Sequence, residues 1–165
     1  MANSFTVNTY SPKDVILTVG GYQLTGWQSI NISRTVKGFT PIRGIRGKNT
    51  RVPNVDTSAT ITISLLQTSQ GNDVLSYIHE LDLNEGTARI ALMLKDNSGR
   101  SVFSSNEAYI TGYPTTIFSG QFEYRNWEFF LQSTNTYVVS GNAKPATDLF
   151  DRALSEAGNF FDNIF

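Results

Sequence analysis

The residue types that most often carry enzyme chemistry are sparse in this chain and badly placed for it. It has one histidine, His79, and no cysteine. A two-histidine metal site, a thiolate nucleophile and a disulfide framework are therefore all unavailable. A Ser-His-Asp arrangement would need His79, yet Ser69 reads as a helix cap, Ser76 as helix surface, and no nucleophile-elbow motif is present. His79 falls beside the apolar stripe of a helix and reads as a surface or boundary histidine. Two carboxylate pairs come into question for general acid and base work. Glu123 and Glu128 are five apart in a strand and so face opposite sides, while Asp82 and Glu85 sit in a helix-ending turn. Both pairs read as solvated charge. The stretch Gly44-Ile45-Arg46-Gly47-Lys48-Asn49-Thr50 holds a Gly-Lys pair with a threonine soon after, but it lacks the spacing of a phosphate loop and does not lead from a strand into a helix. The expectation is a protein without catalytic, cofactor-binding or metal-ligating residues, and so not an enzyme.

The charge pattern is more informative. The net charge is only −1, but residues 1–55 carry seven Lys/Arg against one Asp, and residues 56–165 carry six against thirteen Asp/Glu. A positive front joined to a negative back suits an anionic partner or a second copy of the same chain. The cations concentrate in the nineteen residues from Lys37 to Val55, KGFTPIRGIRGKNTRVPNV, with Lys37, Arg43, Arg46, Lys48 and Arg51 among three glycines and two prolines. That is long for a connection, since about 4–6 residues are usual. Phe39 is its only aromatic, which is poor provision for stacking nucleic-acid bases. The competing reading is an arm that becomes ordered against the negative surface of a neighbouring copy.

The elements that must position this arm are mostly strands. Phe5–Tyr10, Asp14–Val19 and Trp27–Val36 precede it, rich in β-branched and aromatic residues and separated by Ser11-Pro12 and Gly20-Gly21. Thr57–Leu66 alternates cleanly, with Ala59, Ile61, Ile63 and Leu65 on one face and Ser58, Thr60, Thr62 and Ser64 on the other. Ser69 then caps a helix of about three turns, whose inward stripe is Val74, Leu75, Ile78 and Leu81. Further strands are expected at Ala88–Leu94, Ser101–Phe103, Glu107–Tyr113, Thr115–Phe118, Phe122–Gln132 and Thr136–Ser140. Residues 142–165 form a linker and an amphipathic C-terminal helix with Phe150, Leu154, Phe161 and Ile164 on one stripe. The start has no signal-peptide pattern and no apolar run is long enough to span a bilayer, so no membrane anchor is expected.

In its order of elements the chain resembles the tail-tube proteins of bacteriophages and, more distantly, the tube protein of type VI secretion. The resemblance is carried by Thr57 to Leu81, TSATITISLLQTSQGNDVLSYIHEL, and by the arm at 37–55, which is similar to the family's extended hairpin loop. It spans about residues 1–140. The resemblance implies a mainly β subunit, a β-sandwich or half-barrel with one flanking helix, at residues 1–141. It implies stacked, hexameric rings that form a channel through which DNA passes without specific binding. The implied partners are the protein itself, through Lys37, Arg43, Arg46, Lys48 and Arg51, and sheath, tape-measure or tail-completion proteins. The implied location is the virion tail, assembled in the host cytoplasm. The alternative reading is a carbohydrate- or receptor-binding β-sandwich in which Tyr22, Trp27, Tyr113 and Trp127 make a stacking platform.

Overall fold

The computed structural model describes residues 8–141, 144–145 and 156–158. The fold is mainly β. A short strand β1 (Asn8–Thr9) is followed by β2 (Val15–Val19), β3 (Tyr22–Leu24), β4 (Trp27–Arg34), β5 (Phe39–Arg43), β6 (Asn49–Pro53) and β7 (Ala59–Leu66). The helix α1 (Gly71–Glu85) leads into β8 (Ile90–Asp96), β9 (Val102–Gly112), β10 (Tyr124–Leu131), β11 (Thr136–Val138) and β12 (Lys144–Pro145), which pairs with β1. Most of the expected helix at 147–165 lies outside the described residues, of which Glu156–Gly158 are helical.

The main sheet is antiparallel and has the order β3-β2-β8-β9-β10-β7-β4, with β11 also on β9. Its two end strands, β3 and β4, are consecutive in sequence and joined only by Thr25 and Gly26. A link that short reaches about 10 Å, so the sheet curls until its ends meet. The result is the expected half-barrel. The Leu66 amide donates to the Gly26 carbonyl (2.9 Å) and the Ser69 hydroxyl to the Thr25 carbonyl (2.8 Å), which pins this corner. Gly26 has φ 76° there, and a Cβ would lie 2.7 Å from Ser69 Oγ, so glycine is required on both counts.

Alternation fills the inside of the curl. Paired residues of an antiparallel sheet share a face, and one face carries the rows Ile30–Ile63–Trp127 and Ile32–Ile61–Phe129–Ile110. Leu17, Val19, Leu24, Leu92, Leu94 and Phe103 complete the core. The helix crosses one end of the barrel, from the end of β7 to the start of β8, and Leu75 is fully buried beneath it. Of the expected inward stripe, Ile78 packs against the core, and Val74 and Leu81 are half-buried. The deeper line is Asn72, Leu75 and His79. The amide of Asn72 donates to the Leu66 carbonyl (2.9 Å), and its Oδ1 accepts from Trp127 Nε1 (3.0 Å), joining helix to sheet. Gly86 ends the helix in the left-handed conformation, its N–H on the Asp82 carbonyl.

Several sequence expectations are corrected. His79 is neither surface nor boundary: it is 6% exposed, packs edge-on against Tyr113, and its Nδ1 has no partner. Ser69 precedes the helix by two residues and accepts from the Gly71 amide (3.1 Å), while the N-cap position itself is Gln70. The helix runs for fifteen residues, about four turns. Ser101–Phe103 and Glu107–Tyr113 belong to one long strand, β9, and Thr115–Phe118 is an irregular loop. Finally, 37–55 is not a single loop but a β-hairpin of its own, β5 with β6.

Candidate assembly surfaces

Three exposed features of this half-barrel have no counterpart in an ordinary monomer. The first is the β5–β6 hairpin. It leaves the barrel where β4 ends and β7 begins, between Thr35, whose amide donates to the Ser58 carbonyl (3.1 Å), and Asn54, which bonds Gly38 and Lys37. Every residue of both strands is exposed. The register sets Phe39, Pro41, Arg43, Asn49, Arg51 and Pro53 on one face, and Thr40, Ile42, Thr50 and Val52 on the other. Arg51 stacks on the Phe39 ring at 4.5 Å and Arg43 donates to Asn49 (3.1 Å). Arg46 and Lys48 sit at the Gly44–Lys48 turn with Ile45, which is 107% exposed, and Lys37 stands at the root. One side is thus cationic and the other aliphatic. An isolated hairpin is at best marginally stable in water, and among the described residues no salt bridge to a hairpin cation is formed.

At the root, Asp56 accepts from the Ser58 amide (2.9 Å). Its pKa is lowered, first by the Ser58 backbone bond, then by its hydroxyl, with a smaller contribution from the Arg34 charge. The carboxylate form is therefore the one that holds the root. That contribution is present above the ordinary aspartate pKa and lost as pH falls through the depressed one.

The second feature lies at the opposite end of the strands. The 113–123 segment joins β9 to β10 beside the end of β7, since Tyr124 pairs with Leu66. Ile117, Phe118 and Phe122 stand out from it, Phe118 at 87% exposure under the Arg125 guanidinium. The same end carries α1 with Asp73, Glu80, Asp82 and Glu85, and Glu123. From Val52 to Ala88 there is no Lys or Arg. The basic arm and the acidic helix thus lie at opposite ends of the barrel strands. Tyr113 ties loop to helix by donating to Glu80 (2.5 Å). That bond is the main cause of its raised pKa, followed by desolvation and the Glu80 charge. The bond contributes below the ordinary tyrosine range and is lost as pH rises through the raised pKa. Difference titration against Tyr113→Phe should therefore isolate one tyrosine ionising above an ordinary exposed one.

The third feature is an edge. Among the described residues β4 is hydrogen-bonded on one side only, through β7, and its eight residues WQSINISR carry a single charge, Arg34, at the far end. Long edges of this kind are normally protected by Lys, Pro or a bulge; β4 has no Lys or Pro and one irregularity, between Trp27 and Ser29. Its outward residues continue across the sheet in the rows Ser29–Ser64–Asn126 and Asn31–Thr62–Glu128–Gly112. Ser64 donates to Asn126 (2.6 Å), and Glu128 is the only charge in those rows. Beside the edge, an apolar groove of about 460 Å³ is lined by Tyr10, Val15, Trp27, Ile30, Ile32 and Phe103.

The four aromatics of the proposed sugar platform do not form one. Trp127 is 1% exposed and hydrogen-bonded inside the core, with Trp27 half-buried at the groove. Glu123 bonds Ser119 (2.9 Å), whereas Glu128 lies out on the polar face. Asp82 accepts from the Ala88 amide (3.1 Å), a structural duty at the helix end. No helix among the described residues is long and apolar enough to cross a membrane.

No family model matches the chain. It is 37% identical over 153 residues to structural protein ORF10 of Pseudomonas phage KPP10, covering 85% of this chain and 88% of that protein. Among solved structures, a chain of the virion of a native gene transfer agent particle superposes with a TM-score of 0.57 at 9% identity, over 78% of this chain and all of that one. A chain of the sheath-tube complex of an extracellular contractile injection system in its extended state gives 0.53 at 15%, over 79% of this chain and 93% of that one. A chain of the anti-feeding prophage cap, which terminates a tube, gives 0.53 at 13%, over 84% and 95%. At such identities the likeness is one of fold.

Proposed function

The chain belongs to the family of the phage structural protein ORF10, and from that membership we propose that it is the subunit of a phage tail tube, a virion protein that works by assembly and not by catalysis. The observation that carries this reading is the edge of β4, which among the described residues pairs only with β7 and continues the outward face of the sheet. Backbone pairing of that edge with a different surface of the next copy joins subunits side by side in a heterologous contact, which makes a ring where its rotation closes, here read as a hexamer.

The rows Ser29–Ser64–Asn126 and Asn31–Thr62–Glu128 then line the channel. Hydroxyls, amides and one carboxylate offer no cation to a passing phosphate backbone, whose affinity for proteins comes mainly from Lys and Arg. DNA would move past such a wall without being held. The hairpin at 37–55 crosses to the next ring. The likeness to a chain from a sheath-tube complex and to a tube-terminating cap supports sheath and terminator proteins as further partners. We place the tube domain at residues 1–141, with Lys144–Pro145 paired back on its first strand, leaving 146–165 for contacts outside it.

Concentrated purified protein is expected to form rings or tubes in negative-stain electron microscopy. Reversing two arm charges, Arg43→Glu with Arg46→Glu, should reduce the sedimenting fraction at least tenfold. A wild-type protein that stays monomeric at every concentration and salt contradicts the reading.

A further inference from the structure

The aromatic loop at 113–123 is unexplained by the barrel it belongs to. Ile117, Phe118 and Phe122 are solvent-exposed side chains on an irregular segment, and large contiguous apolar exposure marks an interaction surface. Its surroundings define the partner. Asp73, Glu80, Glu85 and Glu123 give this end of the barrel a negative rim. The complementary surface is one with exposed aliphatic side chains flanked by cations, and this chain carries it at its other end, at the hairpin tip: Ile45 beside Arg46 and Lys48, with Ile42 and Val52 on the aliphatic face behind it. Because strands β7 and β10 run from one surface to the other, the two cannot meet within one molecule. In successive copies stacked along the strand direction they face each other.

We propose that the 113–123 loop with the acidic side of α1 is the receptacle for the hairpin of the next copy along the stack. The inference rests on the tail-tube reading and adds to it the receiving surface. Apolar burial supplies the attraction and the charges set polarity, since head-to-head or tail-to-tail contact would bring like charges together. Arg125 keeps its place over Phe118 at 5.6 Å and so presents the ring.

The absence of cysteine makes the test clean. The double variant Ile45→Cys with Phe118→Cys alters two side chains that lie outside the core. Treated with a short bis-maleimide, assembled double variant should run as a ladder well beyond dimer on a denaturing gel, and each single variant should stay monomeric. A second variant, Ile117→Ser with Phe118→Ser, should keep rings but shorten tubes at least tenfold. Intact tubes with no ladder, dimers from a single-cysteine variant, or full-length tubes from the serine variant overturn the receptacle and leave the tube reading standing. Failure of the wild-type chain to form rings or tubes overturns both.

Discussion

Replacing residues 38–54 by a short glycine-serine link should leave a folded protein that still forms rings but no longer stacks them into tubes. The hairpin contributes nothing to the hydrophobic core, and its bonds to the barrel are confined to the root. The Thr35 amide already sits 3.1 Å from the Ser58 carbonyl, so the two ends of the cut are close enough to rejoin. Shortening the loop also lowers its closure cost slightly. The melting temperature should therefore stay within about 4 °C of wild type, roughly what 1 kcal/mol moves in a domain of this size. Sedimentation velocity should show species no larger than a single ring at concentrations where the wild type forms tubes. A protein that unfolds on excision would show that the arm is structural, and one that still forms tubes would remove it from assembly.

Trp127→Ala should have the largest effect on stability. The indole is 1% exposed at the centre of the Ile30–Ile63–Trp127 row, and its N–H is the donor to Asn72 Oδ1. Truncation opens a cavity worth about 3–5 kcal/mol and deprives a buried amide oxygen of its donor, about 1–3 kcal/mol more. Against a typical net stability of about 5–15 kcal/mol, the variant is expected to be largely unfolded or to melt far below wild type. Trp127→Phe, which keeps most of the volume, should lose mainly the hydrogen-bond contribution. Urea unfolding separates the two; an alanine variant within about 1 kcal/mol of wild type contradicts this account of how α1 is fastened.

Strand β7 could be read from its residues because alternation is a local signal: Ala59, Ile61, Ile63 and Leu65 face the core, as their spacing says. The same is true of Trp127, Phe129 and Leu131 in β10. What tied them to α1 was not legible. The bond from Trp127 to Asn72 spans 55 residues, and a polar residue in a helix's first turn gives no sign of being buried. His79 was misplaced for the same reason. Asn72, Leu75 and His79 fall at helical spacing on one face, but two of the three are polar, and the apolar stripe drew attention to Val74 and Leu81, which are only half-buried.

The arm announced itself through charge, glycine and length, yet its strands were hidden. Pro41 and Pro53 are unusual in sheets, and they are tolerated here because both strands are edges. Thr115–Phe118 failed in the opposite direction: its β-branched and aromatic residues favour a strand, but Tyr113-Pro114 and the geometry of the β9–β10 turn leave it without a pairing partner. The sheet order, and with it the placing of the basic arm and the acidic helix at opposite ends, depends on long-range pairing that no local pattern encodes.

The central claim is that copies join side by side at β4 and end to end through the hairpin. A cryo-electron microscopy map of the assembled protein tests it most directly. The account predicts stacked rings with Ser29, Asn31, Thr62 and Asn126 facing an open channel and each hairpin lying on the 113–123 loop of the adjacent ring. A closed two-fold particle, or a tube whose channel is lined by the arm cations, would contradict it.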